Sequence, residues 1–136
     1  MNDFCYIGCF FDPAEIKRNA WNQERGRLHR VVRHPHVTFS YRPDEVPFDL
    51  FGSEVAVRVI GYGKNDENEA FLVELLEMPE GLLPLAETIR VPHITISVSE
   101  RGKAVNSNKL KFPPVQPFII KGIFGGEDQK GVLHLD

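Results

Sequence analysis

Residues 35–40 read Pro-His-Val-Thr-Phe-Ser, and residues 92–97 read Pro-His-Ile-Thr-Ile-Ser. The proline in each copy steers the residue before it away from helical geometry. The alternation that follows has the two-residue period of a β-strand. Histidine and threonine stand two apart, so His36 shares a strand face with Thr38, and His93 shares one with Thr95. Val37, Phe39, Ile94 and Ile96 fall on the opposite faces, where they can anchor the strands. If the chain brings these strands together, two imidazoles and two hydroxyls line one cleft.

The rest of the chain supplies a frame for such a cleft. Residues 4–11 (FCYIGCFF) form an apolar, β-prone run in which Tyr6, Gly8 and Phe10 share a face. Gly8 there either relieves crowding in the core, the favoured reading, or allows close approach of a ligand. Asp12-Pro13 suits a helix start and opens a helix to about residue 28, with Ile16 and Ala20 on one face and Trp21 adjoining. Residues 53–62 are the clearest strand, with Val55, Val57 and Val59 on one face. A polar turn over 63–68 links them to a strand over 70–76, forming a hairpin. Residues 79–90 carry a weak helical pattern interrupted by Pro84. A polar loop covers 102–114. Short strands over 117–124 and 131–135 are joined by a turn beginning at Gly125-Gly126. Regular alternation places Tyr41 on the Phe39 face, as core or rim. This order predicts one α+β domain over residues 1–136, built mainly on antiparallel sheet, with the ten Phe residues and Trp21 as bulky core material.

Charge narrows the partners. The formal charge is −3, whereas nonspecific binding to long nucleic acid draws on a basic excess. The basic residues are clustered, however. Lys17, Arg18, Arg25, Arg27, Arg30 and Arg33 precede the first motif, and Arg101, Lys103, Lys109 and Lys111 follow the second. An acidic stretch from Asp66 to Glu80 lies between them. The two basic segments either converge on one anion or form two solvated surfaces. Cys5 and Cys9 on one strand would stand roughly 13 Å apart, too far for a disulfide. Free thiols, with no signal peptide and no apolar run of spanning length, give the expectation of a cytoplasmic protein without membrane attachment.

Paired histidines suit attack at a phosphodiester. A neutral imidazole takes a proton from the nucleophile, and a protonated one gives a proton to the departing oxygen. Thr38 and Thr95 donate hydrogen bonds to nonbridging oxygens, where charge develops. No metal or other cofactor is needed. Zinc is the rival reading, with His29, His34, His36, His93 and His134 as ligands. The His34-Pro35-His36 spacing is not a standard zinc pattern, and no cysteine or carboxylate is tied to it.

The two His-x-Thr motifs resemble those of the 2H phosphoesterase superfamily, and the resemblance covers nearly the whole chain. The stretch HITISVSERGKAVNSNKL is most similar to the cyclic phosphodiesterase domain of fungal and plant tRNA ligases. The resemblance implies a bilobal fold with one motif from each lobe facing a central groove. It implies His36 and His93 as the catalytic pair and Thr38 and Thr95 as phosphate holders. It implies hydrolysis of a 2',3'-cyclic phosphate on an RNA end or small nucleotide, leaving a 2'-phosphate. Arg33, Lys103, Lys109 and Asn108, close to the motifs, are candidates for holding the rest of the substrate, and Asn106 is another. The alternatives are cleavage of cyclic oligonucleotide signals, as in a phage group of that superfamily, and a noncatalytic module that binds RNA ends or nucleotides.

Overall fold

The computed structural model describes residues 3–23, 30–100 and 102–136. The fold is α+β and dominated by antiparallel sheet. In chain order the elements are β1 (Phe4–Phe10), α1 (Pro13–Gln23), β2 (Arg30–Val31), β3 (His36–Tyr41), β4 (Glu54–Lys64), β5 (Asn68–Glu77), α2 (Leu83–Ala86), β6 (His93–Val98), β7 (Pro114–Asp128) and β8 (Leu133–His134). Single 3-10 segments lie at Phe48–Leu50, Glu80–Leu82 and Ala104–Lys109. No helix among the described residues is long and apolar enough to cross a membrane.

The strands form one sheet in the order β2-β6-β5-β4-β7-β1-β3, with β8 added to β7. The centre is the valine-rich β4, whose Val55, Val57 and Val59 are fully buried. The expected β4–β5 hairpin is present, and its turn is held by Asn65, whose side-chain oxygen accepts from the Glu67 and Asn68 amides. This is the usual way an Asn shapes a turn. The motif strands lie towards opposite ends of the sheet, yet β3 and β6 touch. The sheet therefore curls, as twisted antiparallel sheets do, and brings the two motif strands together.

Helix α1 starts as its sequence dictates. The Asp12 carboxylate accepts the Ala14 amide at 3.0 Å, an N-cap bond. Ile16 and Ala20 face the core. Trp21 does not join them and is 54% exposed. The expected continuation of this helix to residue 28 lies outside the described residues beyond Gln23.

Three other expectations are corrected. Gly125-Gly126 does not turn the chain but lies inside β7, which runs on to Asp128. A Cβ at Gly125 would sit 2.2 Å from the His134 carbonyl oxygen, so the glycine serves close strand approach. The chain turns instead near Gly131, at φ +81°. Pro84 does not interrupt a helix; it occupies the first turn of α2, where its missing N–H costs nothing. The polar loop after the second motif contains the 3-10 segment Ala104–Lys109.

Candidate active site

The two motif strands are held by one pairing pattern used twice. On β3, His36 stands opposite Phe10, Val37 opposite Cys9 and Thr38 opposite Gly8. On β6, His93 stands opposite Leu72, Ile94 opposite Phe71 and Thr95 opposite Ala70. In both pairs the ladder slips just past the threonine, so that Ser40 faces Ile7 and Ser97 faces Glu69. The extra residue is Phe39 in one copy and Ile96 in the other, and both are buried. The proline carbonyls repeat the pattern: Phe11 N–H donates to Pro35 and Val73 N–H donates to Pro92, each at 3.0 Å.

The bulge corrects the placement of Tyr41. Unbroken alternation puts Tyr41 with Phe39, but the slip sets it opposite Tyr6. Directly opposed residues project to one face, so Tyr41 joins His36 and Thr38. It is 68% exposed there.

A cavity of about 620 Å³ is lined by His36, Thr38, His93 and Thr95 together. Tyr6, Tyr41 and Asn108 also line it, and Val32 and Ala104 complete its walls. A second hollow of about 440 Å³ shares Thr38, Tyr41, His93 and Asn108, and extends past Ser40 to Arg90. The two hollows adjoin, with Thr38 and His93, one residue of each motif, lining both.

Both imidazoles are oriented in the same way. His36 Nδ1 lies 2.8 Å from the His34 carbonyl, and His93 Nδ1 lies 2.7 Å from the Val91 carbonyl. A carbonyl only accepts, so each Nδ1 carries the proton and donates it. Nε2 of each neutral ring keeps its lone pair, and no described residue bonds it. Burial pushes the His36 imidazole down to about 4, against the opposing pull of the His34 carbonyl and the Glu127 charge. The same desolvation lowers His93, opposed by the Val91 carbonyl.

The surroundings of the two rings differ. The His36 ring stacks on Tyr6 and tilts against Phe10, with ring centres 5.4 Å apart in the second contact. Glu127 on β7 binds His34 Nδ1 at 2.7 Å, and its charge acts on the Tyr6 phenol. Burial, followed by Glu127, pushes the Tyr6 phenol upward, so it stays a protonated donor. On the other side, the Thr95 hydroxyl lies 2.9 Å from Ser107 Oγ. Asn68 of β5 donates to Ser107 Oγ at 3.1 Å and to the Lys103 carbonyl at 2.9 Å.

Of the other residues singled out in the sequence, Asn108 is in the wall. Arg33, Lys103 and Lys109 are exposed and outside it, although the Lys103 carbonyl anchors the 3-10 segment. Asn106 reaches Glu67 at 3.4 Å. Trp21, read as core material, is not in the wall either. His29, Arg25, Arg27 and Arg101 lie outside the described residues. His134 pairs with Asp128 at 2.8 Å, and among the described residues no three His, Cys, Asp or Glu side chains group to hold a metal. Cys5 and Cys9 are free thiols. Arg90, Ser107, Asn68 and Glu127 escaped the sequence reading. None carries a local signature, because each reaches the site from a different element.

Comparison with family models, with curated proteins and with solved structures found no match to this chain.

Proposed function

We propose that this chain is a metal-independent phosphodiesterase of the 2H kind, acting on the 2',3'-cyclic phosphate of RNA ends. The observation that carries this reading is that both His-x-Thr motifs line one cavity with both Nδ1 atoms held by carbonyls. Each Nε2 is thereby left for proton transfer. The repeated register and repeated bulge support a duplicated, two-lobed ancestry of the kind that superfamily has.

Water attacks phosphorus as one neutral Nε2 removes its proton. The P–O bond to the ribose 3' oxygen breaks, and the other histidine, protonated, gives its Nε2 proton to that oxygen. The product is a 2'-phosphate, and the two histidines have exchanged protonation states. Thr38 and Thr95 donate to the nonbridging oxygens as charge builds on them. Two adjoining hollows with shared walls favour an RNA end over a mononucleotide. Cavities of about 300–1,000 Å³ hold drug-sized ligands, so each hollow has room for one nucleotide, and Arg90 in the wall of the second offers a cation to a phosphate held there.

Phosphorus NMR of adenosine 2',3'-cyclic phosphate, and of a dinucleotide ending in it, tests the reading. The expected product is a 2'-phosphate, formed equally with and without chelator and faster from the dinucleotide. No product from either compound would leave a binding module, or an enzyme for cyclic oligonucleotides, as the reading to pursue.

A further inference from the structure

We infer that Ser107 and Asn68 act together as a positioning device that turns the Thr95 hydroxyl proton toward the substrate phosphate. The inference rests on the phosphodiesterase reading, and it makes Thr95 the oriented donor of the two threonines.

The direction of each hydrogen bond follows from what each atom has to give. The Asn68 amide faces the Lys103 carbonyl at 2.9 Å. That carbonyl can only accept, so the NH2 group and not the amide oxygen must point at it. The same nitrogen lies 3.1 Å from Ser107 Oγ and supplies its second hydrogen there. Ser107 is fully buried, so bulk solvent does not receive its hydrogen. Its remaining neighbour is Thr95 Oγ1, at 2.9 Å. Ser107 therefore donates to Thr95. A proton donated the other way would leave the buried serine hydrogen without an acceptor, which is costly.

Thr95 Oγ1 then already accepts one hydrogen bond and keeps its own proton to give. The only other acceptor in reach among the described residues is the Ala104 carbonyl at 3.5 Å, at the outer limit of hydrogen-bonding distance. A phosphate oxygen in the cavity that Thr95 lines would take that proton at better distance. The chain from Asn68 through Ser107 to Thr95 thus fixes a donor before substrate arrives, which is the condition for electrostatic stabilisation without reorganisation. The Thr38 hydroxyl has no corresponding bond to a described residue. Asn68 also ties the 3-10 segment Ala104–Lys109 to β5, so Asn108 of the wall hangs on the same anchor.

A double-mutant cycle with Ser107→Ala and Thr95→Val tests this. The readouts are kcat and KM on adenosine 2',3'-cyclic phosphate and Kd for adenosine 2'-phosphate, with circular dichroism as the folding control. Ser107→Ala is expected to lower kcat about tenfold with KM changed less than about twofold, as loss of an oriented transition-state donor does. In the Thr95→Val background the same change should cost less than about twofold, because the hydroxyl it orients is gone. Equal losses in both backgrounds, or no loss in either, would overturn the inference. If the cyclic phosphate is not turned over, the phosphodiesterase reading fails separately, and the Kd cycle decides. Nonadditive weakening supports the device, and additive or absent effects, including no binding at all, refute it.

Discussion

The Tyr6 ring lies against the His36 imidazole, with centres 4.2 Å apart and planes 16° from parallel. His93 has no such ring against it among the described aromatic contacts. The stack fixes the plane of a side chain whose Nδ1 is already held by a carbonyl, so Nε2 has one direction left. Tyr6→Ala should lower kcat/KM by about 10–100-fold, the scale expected when a positioned acid–base group is loosened. Tyr6→Phe keeps the ring, loses only the hydroxyl, and should cost less than about fivefold. Steady-state kinetics of the two variants checks the ordering.

Glu127 supports the same histidine at one remove. It holds His34, whose carbonyl orients His36, and its charge favours the His36 imidazolium. Removing a nearby negative charge disfavours a cation, so Glu127→Gln should lower the His36 titration further. Nitrogen-edited NMR of the imidazole rings reads this directly, and His93 should move less than His36.

The acid side of the stability curve carries a signature of the site. His36 titrates near 4 in the folded chain against an ordinary 6.5. A lowered histidine binds fewer protons folded than unfolded, so its full stability is present above about pH 6.5 and is lost as pH falls towards 4. The loss is about 2–3 kcal/mol across that window. Urea unfolding at pH 7 and at pH 4.5 should show a smaller difference for His36→Gln than for the wild type.

Gly8 is where the first motif strand cannot accept a side chain. A Cβ there would meet the Val37 carbonyl oxygen at 2.1 Å, inside the backbone of the neighbouring strand. Gly8→Ala should destabilise the fold by about 2–4 kcal/mol and lower activity, because the displaced strand carries His36 and Thr38. Chemical denaturation of the variant checks the first effect. Ala70, facing Thr95 in the matching position, already carries its methyl, and the second copy tolerates what the first does not.

How legible all this was depends on distance along the chain. The alternation of Val37, Phe39, Ile94 and Ile96 announced buried faces, and all four are buried. It also placed each histidine beside its threonine, as found. The bulges were not legible, since Phe39 and Ile96 look like ordinary strand residues until the partner strands are known. Tyr41 was misplaced for that reason. Gly125-Gly126 is ambiguous in sequence because glycine marks both turns and close approaches, and only the position of His134 tells them apart. Glu127, Asn68, Ser107 and Arg90 act through contacts made across the sheet or the groove, which no local pattern records.

The central claim is that His36 and His93 are the acid–base pair for opening a cyclic phosphate. Its most direct test is single-turnover hydrolysis of an RNA oligonucleotide ending in a 2',3'-cyclic phosphate. The wild type, His36→Ala and His93→Ala would each be run with and without chelator. The account predicts conversion to a 2'-phosphate end by the wild type regardless of chelator, and a loss of at least about 100-fold in each folded variant. Undiminished turnover in either variant, or none by the wild type, would contradict it.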